Sequence, residues 1–264
     1  VGLENKVVLV TGSASGIGAA CAREAARRGA RVVVNYSRSA EEAEQTAETI
    51  RSGGGEVLVV QADVSSDEQV RSMVSRVEQA WGGVDVLVNN AGYTSFVDFD
   101  DLDGLTDEVW TRTLGVNLMG TWYATRAVAV GMRARGAGAI VNVSSVGGVT
   151  ASGSSIAYVV SKSGVLTMTK ALARTLGPQI RVNAVAAGFV QTRWWGRQGY
   201  GDASRVEQLA TSVAEKTPLR KVAAPDDIAD AVLWLADGAA LVTGETILVD
   251  AGMHLGAPPV SGRR

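Results

Sequence analysis

The sequence predicts a doubly wound α/β fold, with a parallel sheet of about seven strands and helices on both faces. Three observations carry this prediction. Short β-branched runs alternate with longer helix-forming stretches, a spacing that requires crossover connections. The runs are near-continuous in apolar residues rather than alternating, as strands covered on both faces must be. The first run also passes through closely spaced glycines directly into a helical pattern.

The strand-like runs are, in order, 7–10, 31–35, 56–61, 84–89, 139–143, 180–185 and 246–249. Helix-type composition occupies 16–28, 40–52, 67–81, 106–135, 157–176 and 225–236. Gly29 and Gly53-Gly54-Gly55 stop the first two helices. Ser66 stands before Asp67-Glu68 as an N-cap with an acidic first turn. Pro225 followed by Asp226-Asp227 opens the last helix in the favoured order. Residues 189–217 read as a long irregular insertion, and 256–264 as a loose tail after a single domain, 1–255.

Composition excludes several classes of function. The 264 residues carry 25 Lys+Arg against 27 Asp+Glu, a balance that argues against an extended nucleic-acid footprint. One cysteine (Cys21) and one histidine (His254) leave no disulfide framework, zinc site or Ser-His pair, so no metal is expected. Cys21 lies between alanines of the first helix and reads as a packed small residue; His254 reads as a C-terminal contact. The acids at 98, 100, 101 and 103 read as a solvated loop. Trp81, Trp110, Trp122 and Trp234 lie in helical patterns and are expected in core or subunit contacts. No signal peptide or apolar span is evident: the uncharged stretch 136–161 is interrupted by serines and glycines. A reducing, cytoplasmic location without membrane contact fits best.

Glycine is over-represented, with 31 residues where an average chain has roughly 7%, and its placement suggests chemistry. The first strand enters Thr11-Gly12-Ser13-Ala14-Ser15-Gly16-Ile17-Gly18 and then a helix. Glycines there let the backbone approach a pyrophosphate, whose charge a helix N-terminus stabilises. An ordinary glycine-rich βα turn is the competing reading. After the second strand come Tyr36-Ser37-Arg38, with no acid before Glu41. An acid there would hold a ribose 2′-hydroxyl, whereas an arginine suits a 2′-phosphate. NADP(H) is therefore favoured over NAD(H); the alternative is that Arg38 simply begins a solvated helix.

Tyr158 and Lys162 lie one helical turn apart on one face. A free phenol has a pKa of about 10, and a nearby ammonium is expected to lower it enough for proton exchange with a substrate oxygen. Most such pairs are solvated faces; here the pair follows a strand ending in Ser144-Ser145, where ligands bind in parallel sheets.

Thr11-Gly12-x-x-x-Gly16-x-Gly18, Asn89-Asn90-Ala91-Gly92, Asn117, Ser145 and Tyr158-x-x-x-Lys162 together resemble the short-chain dehydrogenase/reductase family over residues 6 to 252. Within it the chain is most similar to the 3-oxoacyl-(acyl-carrier-protein) reductase branch, notably in 33–38. The resemblance implies a Rossmann-type domain and a ketone–alcohol oxidoreductase. It implies Tyr158 as general acid or base, Ser145 as hydrogen-bond partner of the substrate carbonyl, and Lys162 on the nicotinamide ribose. Asn117 would hold a water linking Lys162 to solvent. Gly12, Ser13, Ser15, Gly16, Ile17 and Gly18 would form the pyrophosphate turn, and Asp63 and Val64 would bracket the adenine. Asn90, Ala91 and Gly92 would support the adenine ribose, and Gly188, Val190 and Thr192 would hold the carboxamide.

The chain departs from that pattern at Ala187-Gly188, where relatives have Pro-Gly, and at Ser15, where NADP-linked relatives often carry a base. Carrier-protein reductases tend to carry cations near the ends of the two long helices. Here only Arg133 and Arg135 are available, and Gly177-Pro178-Gln179 is uncharged, which weighs against an acyl-carrier-protein partner. The insertion 189–217 is expected over the substrate, with Trp194, Trp195 and Tyr200 as pocket walls or as a lid packed on the body, and Arg193 and Arg197 as optional anion contacts. The resemblance implies a homotetramer through 106–135 and 157–176, with Ala124, Ala127, Ala171 and Ala173 permitting close packing. An NADPH-dependent carbonyl reductase is the leading function. The alternatives are an NAD-linked dehydrogenase of a sugar or hydroxy acid, and a non-catalytic nucleotide sensor.

Overall fold

The structure, a computed structural model, describes residues 2–197 and 199–256; the tail from residue 257 and the Arg197 side chain lie outside the described residues. Seven strands form one sheet in the order β3-β2-β1-β4-β5-β6-β7, every adjacent pair parallel. They are β1 (Val7–Val10), β2 (Arg31–Tyr36), β3 (Val57–Gln61), β4 (Val86–Asn89), β5 (Gly138–Ser145), β6 (Ile180–Ala187) and β7 (Thr246–Val249). The helices are α1 (Gly16–Arg27), α2 (Ala40–Ser52), α3 (Asp67–Trp81), α4 (Asp107–Leu114), α5 (Gly120–Arg135), α6 (Gly147–Thr150), α7 (Ile156–Leu176), α8 (Trp194–Arg197), α9 (Ala203–Lys216) and α10 (Pro225–Leu233). Because the chain starts mid-sheet and winds both ways, strand order reverses between β1 and β4. A crevice must open there beyond the strands' C-terminal ends.

Two cores sandwich the sheet, and the strand period sorts residues between them. Val8, Val10, Val32 and Val34 pack with Ala20, Ala25 and Ile228 on the α1/α2/α10 face. Val7, Leu9, Val33 and Leu87 pack with Val74, Val128 and Leu172 on the α3/α5/α7 face. Each fully buried Val or Leu contributes about 1.5–3 kcal/mol relative to an exposed one. Helix starts follow the expected chemistry. The Ser66 hydroxyl accepts from Gln69 N–H, and Pro225 opens α10 with Asp227 accepting from Ala224 N–H.

The structure corrects the expected pattern in four places. The helix expected over 106–135 is broken by a π-helical segment, Gly115–Met119, centred on Asn117. The Asn117 side chain is tied to the Tyr93 main chain and to Ser161, and its carbonyl oxygen accepts from Thr121 Oγ1, which favours a local departure from α geometry. A second such segment, Trp234–Gly238, follows α10. The insertion read as irregular contains α9, capped by Asp202 accepting from Arg205 N–H. Its Val206, Leu209, Ala210 and Val213 form an apolar stripe at helical spacing against Phe189 and Trp195. β5 and β6 also run two residues further than expected, to Ser145 and Ala187, and β5 so carries Ser144 and Ser145 to the crevice.

Two of the four alanines expected at a subunit face belong to the interior instead. Ala124 and Ala173 pack in the α3/α5/α7 core, because the faces of α5 and α7 that carry them look onto the sheet. Ala127 is half-buried and Ala171 exposed. Of the four helical tryptophans, Trp81 and Trp122 flank that core while Trp234 is 46% exposed. Cys21 is fully buried and its thiol is pushed up to about 12 by desolvation, so it is an inert packing residue.

Candidate active site

The crevice at the strand ends is a cleft of ≈ 1960 Å³ that runs from the glycine turn to the insertion. At one end it is lined by Gly12, Ser15, Gly16 and Ile17, at the N-terminus of α1. The turn admits no side chain at its tightest points. A Cβ on Gly12, which has φ +62°, would lie 2.8 Å from Ala91 Cα, and one on Gly18 would lie 2.5 Å from Asn90 Nδ2. Asn90 donates to the carbonyls of Thr11 and Gly12, and Asn35 Oδ1 accepts from Gly12 N–H. Backbone is thus held open toward the cleft from both neighbouring strands.

Ser13 and Gly18 serve this turn from behind and do not line the cleft. The buried Ser13 hydroxyl donates to Val10 O and accepts from Asn35 N–H, so its side chain is committed to the scaffold. Tyr36, Ser37 and Arg38 line the cleft beyond β2, with Arg38 exposed. Arg23, on α1, reaches the same stretch of wall; it escaped the sequence reading because it lies within a helix and outside any motif. Asp63, Val64, Asn90, Ala91 and Gly92 line the cleft between these ends. Asp63 Oδ1 accepts from both the N–H and hydroxyl of Ser65, which fixes the loop after β3.

The chemistry-bearing residues converge where β5 meets α7. The Tyr158 phenol shares a hydrogen bond with the Ser145 hydroxyl, which in turn accepts from Gly147 N–H. Ser155 caps α7 by accepting from Tyr158 N–H. Lys162, only 5% exposed, donates from Nζ to Val143 O, and Nζ lies 5.8 Å from the Tyr158 ring centre. Ser144 points away, donating to Lys162 O, as the strand period predicts. Asn117 does not line the cleft, but a Cβ at Gly92 would sit 3.7 Å from its Oδ1 and 3.9 Å from Lys162 Nζ. Both side chains therefore lie close to Gly92.

The electrostatics correct one expectation. Lys162 is not what governs the Tyr158 phenol: burial raises it above its ordinary value, and the Ser145 hydrogen bond pulls the other way. Burial also drags the Lys162 amine down, to about 8. Both groups are pushed toward their neutral forms, the expected consequence of placing them in a poorly solvated site.

Opposite Tyr158, the insertion supplies an aromatic wall. The Trp194 ring centre lies 6.1 Å from that of Tyr158, and Phe96 is 6.4 Å from Trp194 and 5.2 Å from Tyr200. Trp195 stacks on Phe189 at 4.6 Å, and its Nε1 donates to Val190 O. Trp194 thus behaves as a pocket wall and Trp195 as a packed anchor. Phe96 could not be found from the sequence, because it stands in a loop with no periodicity. Gly188, Val190 and Thr192 line the cleft beside the wall, and Thr192 accepts from Trp194 N–H. Arg193 reaches Glu42 on α2 at 3.8 Å, an exposed contact across the turn.

The other expectations are structural. His254 Nδ1 meets Asp250 at 2.8 Å, within the turn that follows β7. Among the described residues, no group of three or more His, Cys, Asp or Glu could hold a metal ion, and no helix is long and apolar enough to cross a membrane. Arg133 and Arg135 are both engaged with main-chain carbonyls, of Thr175 and Val84, rather than projecting freely.

A doubly wound sheet with a glycine turn at its switch point and a Tyr–Ser pair over a buried lysine beside it defines a nucleotide-dependent oxidoreductase. Comparison with known proteins makes the class specific. A family profile described as enoyl-(acyl carrier protein) reductase matches residues 12–254. A Streptomyces violaceoruber protein named as ketoacyl reductase 2 of the granaticin polyketide synthase is 44% identical over 252 residues, covering 96% of this chain and 97% of the relative. A 3-oxoacyl-[acyl-carrier-protein] reductase of Staphylococcus epidermidis is 36% identical, covering 95% of this chain and 100% of the relative. The structure of a gluconate 5-dehydrogenase from Burkholderia cenocepacia, in complex with NADP and tartrate, superposes with a TM-score of 0.85 at 31% identity, over 95% of each chain. The chain belongs to the short-chain dehydrogenase/reductase family, in its 3-oxoacyl reductase-like branch. It is an oxidoreductase of CH–OH groups that interconverts ketones and secondary alcohols with a nicotinamide dinucleotide.

Proposed function

We propose that the chain is an NADP(H)-dependent reductase of a ketone in which Tyr158 is the general acid. The observation that carries this is the Tyr158–Ser145 hydrogen bond one helical turn from buried Lys162, in a cleft continuous with the glycine turn. The turn's refusal of a Cβ at Gly12 and Gly18 fits a pyrophosphate laid against backbone. Ser15, Gly16 and Ile17 would hold it, Asp63 and Val64 the adenine, Asn90, Ala91 and Gly92 its ribose, and Gly188, Val190 and Thr192 the carboxamide. When bound, the dinucleotide supplies the hydride.

Tyr158 gives its proton to the substrate oxygen, and Ser145 donates a hydrogen bond to that same oxygen. Lys162 binds the nicotinamide ribose hydroxyls and, as an ammonium, stabilises the phenolate that proton donation leaves behind. Asn117 keeps the Tyr93 loop and α7 in register around it, and holds the water through which Lys162 reaches solvent. Replacing Tyr158 by Phe tests the assignment: carbonyl reduction is expected to collapse while cofactor binding survives.

Tyr36, Ser37 and Arg38 favour NADP(H) because the wall beyond β2 offers the exposed Arg38 guanidinium, and no acid follows β2 in the chain before Glu41. Arg38→Ala is expected to raise KM for NADPH at least about tenfold, the scale of one charge-assisted contact, and to leave KM for NADH within about twofold. Equal effects in steady-state kinetics would remove the basis for the preference. The chain is further expected to form a homotetramer through the outer faces of α5 and α7, where Val130 (75%) and Val160 (44%) are exposed. Light scattering should give four chains of 27.4 kDa, and a monomer would refute it. With Arg133 and Arg135 already engaged, an acyl-carrier-protein partner is not part of this reading.

A further inference from the structure

We propose that the substrate is a ketone borne on a rigid aromatic or fused-ring framework, held against a wall made by Phe96, Trp194 and Tyr200. This rests on the reading of Tyr158 as proton donor and specifies what is presented to it. The three rings are each partly exposed and line the cleft. They form a continuous series that begins at the phenol: Tyr158 to Trp194 at 6.1 Å, Trp194 to Phe96 at 6.4 Å, and Phe96 to Tyr200 at 5.2 Å. Behind them Trp195 and Phe189 stack at 4.6 Å, and Val206 and Ala210 of α9 are buried against that pair's cluster. The wall is therefore backed by a core of its own, which keeps its faces presented rather than collapsed into the cleft.

Several polar groups around the wall are already engaged. Trp195 Nε1 donates to Val190 O, the Tyr93 hydroxyl is bonded to Ser95, and Thr94 Oγ1 to Ser154 Oγ. Of the acids that line this end of the cleft, Asp101 accepts from Gly104 N–H and Asp202 from Arg205 N–H, while Asp98 is exposed at the rim. A polyol needs several free donors and acceptors at fixed positions, because each hydroxyl stripped of water must find a partner. A rigid apolar frame needs only area and ring contact, which these side chains supply as faces and edges inclined by 54° and 66° to one another. Tyr158 and Ser145 then contribute the two polar contacts that orient its carbonyl.

The test is NADPH oxidation by the purified enzyme with 2-tetralone, ethyl acetoacetate and 5-keto-D-gluconate, on wild type and on Trp194→Ala and Phe96→Leu. Wild type is expected to show kcat/KM for 2-tetralone at least tenfold above either other substrate. Each variant is expected to lose at least tenfold more on 2-tetralone than on ethyl acetoacetate, with NADPH still bound in a fluorescence titration. Keto-gluconate turned over as well as 2-tetralone, or equal losses on both ketones, would overturn this inference and leave the reductase reading standing. Turnover of none of the three, with NADPH bound, would overturn both. If Trp194→Ala does not fold, Phe96→Leu, which changes a ring for an aliphatic chain, carries the comparison alone.

Discussion

Tyr158→Phe is expected to lower kcat for carbonyl reduction by about 10³-fold, within the 10²–10⁴ range that a positioned general acid contributes. The substitution is informative because phenylalanine keeps the ring. The packing of Trp194 against that ring, at 6.1 Å, survives, as does the main-chain bond to the Ser155 cap. Only the hydroxyl and its bond to Ser145 are removed. The affinity for NADPH, read by fluorescence titration, should therefore stay within about threefold, and the loss should fall on kcat rather than on cofactor binding. The direction of the phenol's shift bears on which role is expressed. Burial holds Tyr158 above the ordinary phenol value of about 10, so it is protonated across neutral pH, the form that gives a proton to a carbonyl. That is the form reduction needs, whereas oxidation needs the phenolate. A variant retaining more than a third of wild-type kcat would mean that the proton comes from elsewhere.

Much of the arrangement of this candidate site is legible in the sequence, and the reasons differ from residue to residue. Gly12 and Gly18 could be read because a backbone turning this sharply against Ala91 and Asn90 tolerates almost nothing else, and Gly16 because its φ of +58° suits no other residue well. Tyr158 and Lys162 could be read because helical spacing alone brings them to one face, and Ser145 because a parallel strand ends at the crevice. What resisted reading depends on contacts between distant segments. Phe96 joins Trp194 and Tyr200 only after the chain has crossed the sheet several times, and no local period marks it. The π segment at Asn117 is likewise decided by the Tyr93 main chain and Ser161, not by its own composition. The helix α9 is a different case: Asp202 as cap and Val206, Leu209, Ala210 and Val213 at helical spacing were all present, but the surrounding glycines and tryptophans drew the reading toward irregular structure. The same limit explains the phenol. Its distance from a cation was implied by the sequence, but its depth was not, and depth decides the sign of the shift.

Lys162→Met is expected to abolish most activity and yet to make the protein more stable at pH 7. In wild type a cation is buried at 5% exposure with one carbonyl acceptor, Val143 O, and desolvation pulls its pKa from 10.5 to about 8. Below pH 8 the amine is charged in both folded and unfolded chains, so folding bears the whole desolvation cost. Between 8 and 10.5 the unfolded chain keeps the proton that the folded chain has released, and wild-type stability rises with pH. Above 10.5 the amine is neutral in both states and the cost is gone. The full shift corresponds to about 3 kcal/mol. The lost hydrogen bond to Val143 O offsets part of it, leaving an expected gain for methionine of about 1–2 kcal/mol at pH 7, or about 2–8 °C in Tm. Thermal melts of the two proteins from pH 7 to 10.5 should show the advantage of methionine shrinking steadily, while kcat for reduction is down at least about 10²-fold throughout. A methionine variant less stable than wild type at pH 7, or a gap that ignores pH, would mean that Lys162 is not held against a desolvation cost. The combination expected here, activity lost and stability gained, is the signature of a charge retained for chemistry at the expense of the fold.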